Sequence, residues 1–160
     1  MMKKIISTFL LIVISILSLQ SCDSDDNGNS TPDLNNEISI DGTIYALDGI
    51  AVLQSYGTNN DGSFDRDIEI FSNNLFVEFD LNTNSTAGIS EGTYTYSDIR
   101  QAFTFYNVEI EIQENNDSTS FNIQQGSVTV NNENSNTIIT FDLVAQDGTS
   151  IIGHWFGTIE

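Results

Sequence analysis

The stretch LFVEFDL, residues 75–81, alternates its side chains with a period of two. Leucine, valine and phenylalanine occupy positions 75, 77, 79 and 81, and Phe76, Glu78 and Asp80 lie between them. Successive side chains of an extended chain point to opposite faces, so the apolar set gathers on one face. The stretch therefore predicts a β-strand with one buried face and one largely wet face.

The same alternation recurs on both sides of this stretch, β-branched residues are frequent, and no segment keeps the i, i+3, i+4 spacing of an amphipathic helix. Strands are predicted at residues 38–40, 43–47, 50–56, 66–72, 75–81, 93–97, 102–113, 119–130, 137–145 and 150–159. Between predicted strands lie four residue pairs that suit turns with positive φ: Asp41-Gly42, Asp61-Gly62, Asn73-Asn74 and Asp147-Gly148. Short strands joined by such turns predict an all-β domain: an antiparallel β-sandwich of about 8–10 strands, or a lipocalin-like β-barrel if the sheet closes.

Two segments break the alternation. In QAFTFYNVEIEI, residues 101–112, an inward-facing Val108 would place Phe103 and Phe105 in water. We expect a β-bulge near Tyr106–Asn107 to restore the phase; the alternative is a pair of exposed aromatics. A second phase change lies before Val128, and Gly126 is the predicted bulge site there.

The last predicted strand contains the only tryptophan, Trp155, with Gly153 and Gly157 on the same face. A large indole beside two glycines suggests that an aromatic ring packs over the backbone inside the core. The opposite face carries His154 and Phe156, which predicts partial cover on both sides of the strand.

Charge excludes one class of partner. The chain has 4 Lys and Arg residues against 23 Asp and Glu residues, and after residue 22 only Arg66 and Arg100 remain as bases. Nucleic-acid binding depends on basic side chains that displace phosphate counterions, so nucleic acid is not expected as a partner. The acidity is otherwise explained by solubility through self-repulsion.

The first 22 residues, MMKKIISTFLLIVISILSLQSC, join a basic start to an apolar run that ends at the only cysteine. The run is shorter than the roughly 20 residues that span a bilayer core, and this arrangement is typical of a secretory signal peptide. Its ending, Leu19-Gln20-Ser21-Cys22, resembles a bacterial lipobox. The resemblance implies that residues 1–21 are removed as a lipoprotein signal peptide and that Cys22 is lipidated with diacylglycerol and an amide-linked fatty acid such as palmitate.

Residues 22–36 are predicted to form the lipidated cysteine and a flexible acidic tether, because the segment is polar and holds one apolar side chain. Residues 37–160 form the all-β domain, which has no cysteine for a disulfide. The acids after Cys22 resemble the export tag of Bacteroidota lipoproteins, which implies an outer-membrane anchor at the cell surface. Asp23 beside the anchor also resembles an inner-membrane retention signal, which leaves a periplasm-facing position as the alternative.

Candidate sites are few, and no cofactor is expected unless calcium binds. The motif NNDGSFDRD, residues 59–67, resembles part of a calcium loop through Asn59, Asp61 and Asp65, although a hairpin turn explains it equally well. Asp117-Ser118-Thr119 resembles a short O-glycosylation motif of exported Bacteroidota proteins, which would place a sugar on Ser118 in a loop.

Catalysis is not expected. A catalytic triad would need a nucleophile, and the sequence has no nucleophile-elbow glycine pattern. The single histidine, His154, is better explained as a half-buried strand residue. The acid pairs Asp67 with Glu69 and Glu109 with Glu111 have the spacing of a solvated strand face. The sequence thus predicts a protein that is not an enzyme.

Loose features across the domain resemble the small all-β lipoproteins of Bacteroidota: DGTIYAL early, EGTYTY in the middle, and ITFDL and GHWFGTI near the end. The expected function is that of a lipid-anchored interaction module for a protein or glycan. An exposed aromatic platform of Phe103, Phe105 and Tyr96 would favour glycan. The alternative function is a lipocalin-like carrier of a small apolar ligand, which requires an unfilled interior.

Overall fold

The computed structural model describes residues 33–115 and 117–160, and this part of the chain is all-β, as predicted. The strands are β1 (Glu37–Ile40), β2 (Thr43–Ala46), β3 (Ile50–Thr58), β4 (Phe64–Phe71), β5 (Leu75–Thr83), β6 (Gly92–Tyr96), β7 (Thr104–Glu114), β8 (Asp117–Glu133), β9 (Asn136–Ala145) and β10 (Ser150–Gly157). Each predicted strand is present. Nothing helical in the described residues has the length and apolar character needed to span a bilayer.

The ten strands form one continuous sheet that curls into a half-barrel, in the order β2-β1-β10-β9-β8-β6-β7-β5-β4-β3. Among the ten strands all pairings are antiparallel except β6 with β7, which run parallel over two residue pairs. That exception to the antiparallel prediction arises because β6 is short and inserts between β7 and the second half of β8, while the first half of β8 pairs with β7 directly. The chain after β10 reaches β3, where Ile159 bridges Ala51.

The inner face of the curled sheet is a single apolar core. The four alternating residues of β5 are all buried there, together with the alternating apolar residues of β7, β8, β9 and β10. Phe79 of β5 contacts Phe141 of β9 edge to face, with ring centroids 5.2 Å apart. Because these strands lie far apart in the sheet order, this contact shows that the curl closes over a packed interior.

Trp155 is buried in this core, as predicted, with 2% of its surface exposed. Its indole lies over Gly157, where an added Cβ would come within 2.6 Å of the ring. The Phe141 ring covers Gly153 in the same way. The indole Nε1 donates a hydrogen bond to the carbonyl of Gly49 at 3.2 Å, which satisfies its only polar group.

The predicted bulge in β7 is confirmed. Asp80 pairs with Asn107 and Leu81 pairs with Phe105, so Tyr106 is the extra residue. The second prediction is displaced, because the register shift in β8 lies at Gln124 and not at Gly126. Gly126 serves another purpose: its φ is positive, and a side chain there would strike the backbone of Asp142.

The predicted turns are confirmed in three of four cases as positions of positive φ. Asp41, Gly42, Gly62 and Gly148 all adopt it. The pair Asn73-Asn74 does not, so that prediction is wrong. Across this connection the Ser72 amide donates a hydrogen bond to the Leu75 carbonyl.

Candidate functional site

A cleft of about 690 Å³ opens at one end of the sheet, between the turn that joins β3 to β4 and the loop that joins β6 to β7. Six of its eight lining residues carry polar side chains, and the other two are Ile99 and the exposed aromatic Tyr106. The lining residues are Asn59, Asn60, Asp61, Asp98, Ile99, Arg100, Gln101 and Tyr106.

Asp61 shapes the first wall and ties it to the second. Its Oδ1 accepts hydrogen bonds from the amide and hydroxyl of Ser63, at 2.9 and 2.6 Å. Its Oδ2 accepts one from the amide of Ala102 in the β6–β7 loop, at 3.0 Å. The bonds from Ser63 hold the pKa of Asp61 below its usual value, so this carboxylate stays charged and keeps both segments in place.

A buried amide network supports the floor between the two walls. Asn82 of β5 is fully buried; its Oδ1 accepts a hydrogen bond from the Asn59 side chain at 2.7 Å. Its Nδ2 donates to the carbonyl and the hydroxyl of Thr104. Thr104 in turn donates to the carbonyl of Gln101 at 2.8 Å. Because each buried polar group here has a partner, the network orders both walls.

Tyr106 enters the cleft because it is the bulged residue of β7. The extra residue leaves the ladder, so the ring stands 45% exposed instead of joining the core. The Arg100 guanidinium stacks on it, with Cζ 4.6 Å from the ring centroid. This cation–π contact fixes the ring as one flat surface of the cleft.

Beside the cleft, acidic side chains of neighbouring strands lie opposite one another on the outer face of the sheet. Asp67 of β4 lies directly opposite Asp80 of β5. One step along, Glu69, Glu78 and Glu109 form a row across β4, β5 and β7. Like charges opposite each other destabilise a ladder, so these rows need compensation from elsewhere.

Arg100 supplies part of that compensation. Its Nη1 and Nη2 donate to both carboxylate oxygens of Asp80, at 2.6 and 2.5 Å. Nη1 also lies 3.0 Å from Oδ1 of Asp65. Burial raises the pKa of Asp80, and the hydrogen bonds from Arg100 oppose that effect.

Asp67 receives less help. It is 8% exposed, and its Oδ1 has no hydrogen-bond donor among the described residues. Burial first, and then the charge of Asp80, raise the pKa of Asp67 to about 7. At neutral pH this carboxylate is therefore poised between its charged and neutral forms.

The aromatic platform predicted from the sequence is not assembled. Phe105 is fully buried in the core, where it packs against Tyr96, because the bulge turns it inward. Phe103 is partly buried against Tyr94, and Tyr96 is also partly buried. Tyr106 lines the cleft but is not among the site residues predicted from the sequence, although the predicted bulge is the signal that could have placed it outside the core.

The three predicted calcium ligands are divided by the structure. The Asn59 side-chain amide donates to the Ser63 hydroxyl and Asp61 accepts from the Ser63 amide, which are the hydrogen bonds of a hairpin turn, the alternative explanation of the motif. Asp65 instead lies with Asp67 and Asp80 on the outer face. The sequence analysis missed Asp80 in this group, because only the pairing of β4 with β5 brings it there.

The remaining predicted positions fall elsewhere. Ser118 is exposed but lies in β8 and not in a loop, since the turn between β7 and β8 ends before it. His154 is half-buried, and its Nδ1 accepts a hydrogen bond from the Asn36 amide at 3.3 Å. Within the described residues His154 makes no ion pair with a carboxylate. Cys22 lies outside the described residues.

Searches of protein-family models, of curated proteins and of solved structures found no match to this chain.

Proposed function

We propose that this chain is a lipid-anchored, non-enzymatic lipoprotein of the cell envelope whose β-domain binds a glycan in the cleft beside Tyr106. The cleft carries this proposal: the Tyr106 ring, which Arg100 covers on one face and which is 45% exposed, lies there beside amide, carboxylate and guanidinium groups.

The chemistry of the cleft matches a sugar. The C–H face of a pyranose is apolar and packs on an aromatic ring, whereas its hydroxyls need planar donors and acceptors. The side-chain amides of Asn60 and Gln101 can both donate and accept hydrogen bonds, and the Asp98 carboxylate can accept them. Because the domain is strongly acidic, a neutral glycan suits it better than a sialylated or uronic one.

The alternative of an apolar-ligand carrier has less support. The inner face of the sheet is filled by large side chains such as Trp155, Tyr94 and Phe79, which pack against one another. A carrier of the lipocalin kind needs that space for its ligand.

The anchor and the location are proposed from the sequence alone. The basic start, the short apolar run and the lipobox-like ending at Cys22 support export and lipidation. Acyl chains at Cys22 would give stable attachment. The acidic residues that follow Cys22 favour the outer surface of the outer membrane over a periplasm-facing position.

Binding is tested with the full-length chain, purified in detergent and applied to an array of defined neutral and acidic glycans. We expect a neutral glycan to bind, and Tyr106→Ala to weaken that binding about tenfold or more. Phe156→Ala is the matched control, because Phe156 is similarly exposed, at 39%, on a strand that does not line the cleft. Equal binding by the two variants, or no binding by the wild type, would contradict the proposal.

The anchor is tested by intact-mass spectrometry of the chain from its native host. We expect a mass that corresponds to a chain beginning at Cys22 with diacylglycerol and a fatty acid attached. Cys22→Ser should leave the precursor uncleaved and unmodified. An unmodified wild-type chain of full length would refute the anchor without bearing on glycan binding.

A further inference from the structure

Three carboxylates meet on the outer face at what we call the aspartate cluster: Asp65, Asp67 and Asp80. One oxygen of each lies within 4.8 Å of the oxygens of the other two. β4 supplies Asp65 and Asp67, and β5 supplies Asp80 opposite Asp67. Three carboxylates this close repel one another strongly at the partly desolvated surface of a sheet, so the cluster is fully ionised only if positive charge lies beside it.

Arg100 meets this requirement only in part. It contacts Asp80 and Asp65, but it makes no hydrogen bond to Asp67. Asp67 is more than nine-tenths buried, and its Oδ1 is without a donor in the described part of the chain. A buried carboxylate oxygen without a partner costs folding free energy, and residues 33–115 and 117–160 supply no donor that would offset this cost.

We propose that the aspartate cluster binds a divalent cation of the calcium class, with Asp67 contributing the buried Oδ1 for which the described residues provide no donor. All three cluster ligands offer oxygen and none offers sulfur or imidazole, which favours a hard cation over zinc or copper. The same row across the sheet continues with Gln54, which pairs with Asp67, and with Asn107, which pairs with Asp80. Both side chains offer amide oxygens. Calcium accepts such mixed and irregular oxygen sets, whereas magnesium demands a near-ideal octahedron.

The cation and Arg100 compete for the same carboxylates. Arg100 donates to Asp80 and Asp65, two of the three cluster residues, and also lines the cleft. Removal of its charge therefore leaves more negative charge for the cation. Cation binding at the cluster does not require a glycan in the cleft, so the two sites can be tested separately.

The test uses the full-length chain in detergent, stripped with a chelator and titrated with CaCl₂ and with MgCl₂ by isothermal calorimetry. We expect one saturable calcium site with a Kd of about 10⁻³ M or tighter, the range of extracellular modules. Asp67→Asn should weaken it about tenfold or more, and Arg100→Gln should strengthen it. Asp142→Asn, which removes the same charge from the outer face of β9, should leave the affinity unchanged.

Loss of folding is excluded by thermal unfolding in chelator. Asparagine keeps the shape of Asp67 and needs no counter-charge, so Asp67→Asn should unfold no earlier than the wild type. Failure of CaCl₂ to saturate a site by about 10 mM would overturn the proposal. Equal weakening by Asp67→Asn and Asp142→Asn would overturn it too, because it would indicate diffuse attraction. Tighter binding of MgCl₂ than of CaCl₂ would contradict the calcium class.

Discussion

Shape as well as apolar character selects the side chains of the inner face. Trp155 fits because Gly157 offers bare backbone beneath its indole and the Gly49 carbonyl accepts from its Nε1. Gly153 makes the same room for Phe141. In each case a small residue is required where a large ring crosses the strand, because close packing leaves no space for a Cβ.

Trp155→Ala should lower the free energy of unfolding by about 3–5 kcal/mol, since it leaves a large cavity in a packed core. Chemical denaturation followed by circular dichroism measures the loss. Phe156→Ala, on the opposite face of the same strand, should cost far less because that ring is already exposed. Similar losses in the two variants would refute the different burial of the two faces.

Asp67 should make stability depend on pH. Its pKa is raised from 3.8 to about 7, so the folded state holds this proton more tightly than the unfolded chain does. The stabilisation is complete below about pH 4 and is lost as pH rises through about 7. In chelator, the stability of Asp67→Asn relative to wild type should therefore increase over this range. A pH-independent difference for Asp67→Asn would contradict the raised pKa.

The phase of the alternation in a strand decides which side chains face the core, and the bulge in β7 shifts that phase by one residue. Before the bulge Phe105 faces inward, and after it Val108, Ile110 and Ile112 do. The same irregularity places Tyr106 in the cleft. A single extra residue thus serves both the packing of the sheet and the surface of the candidate site.

Deletion of Tyr106 should be tolerated by the fold, because Asn107 and Phe105 would then pair in regular succession with Asp80 and Leu81. Deletion of Glu109 should prevent folding, because it reverses the phase of Val108 relative to Ile110 and exposes core residues worth about 1.5–3 kcal/mol each. Circular dichroism melting distinguishes the two. A cooperative transition for the Glu109 deletion, or none for the Tyr106 deletion, would contradict the assigned register.

The whole domain is held together against its own charge. Arg66 and Arg100 are its only lysine or arginine residues. Arg66 donates from Nη1 and Nη2 to the carbonyls of Asp65 and Thr86, its Nε has no partner among the described residues, and it pairs with no carboxylate there. The continuous sheet still folds because one face buries a single apolar core. Repulsion between the acidic side chains on the other face lowers the stability of the fold.

Salt should stabilise this protein. Raising NaCl from about 10 to about 150 mM shortens the screening length from roughly 30 to roughly 8 Å, which weakens repulsion between the acidic rows. The melting temperature should rise over this range. A variant with glutamine at positions 69, 78 and 109 should show a smaller rise. An equal rise in both would mean that the acidic rows contribute nothing to the effect.

The sequence by itself determined the all-β class and the ten strands, and it predicted a bulge near Tyr106–Asn107 with two exposed aromatics as the alternative. These features follow from the period of two and from turn residues, which are local properties of the chain. Only the tertiary structure decided which strands are neighbours, and hence that Asp80 faces Asp67, that Phe105 lies inside, and that Asn59 and Thr104 share the amide of Asn82. Pairing between strands depends on which apolar faces bury each other across the whole sheet. The alternation along one strand does not specify which strand lies next to it.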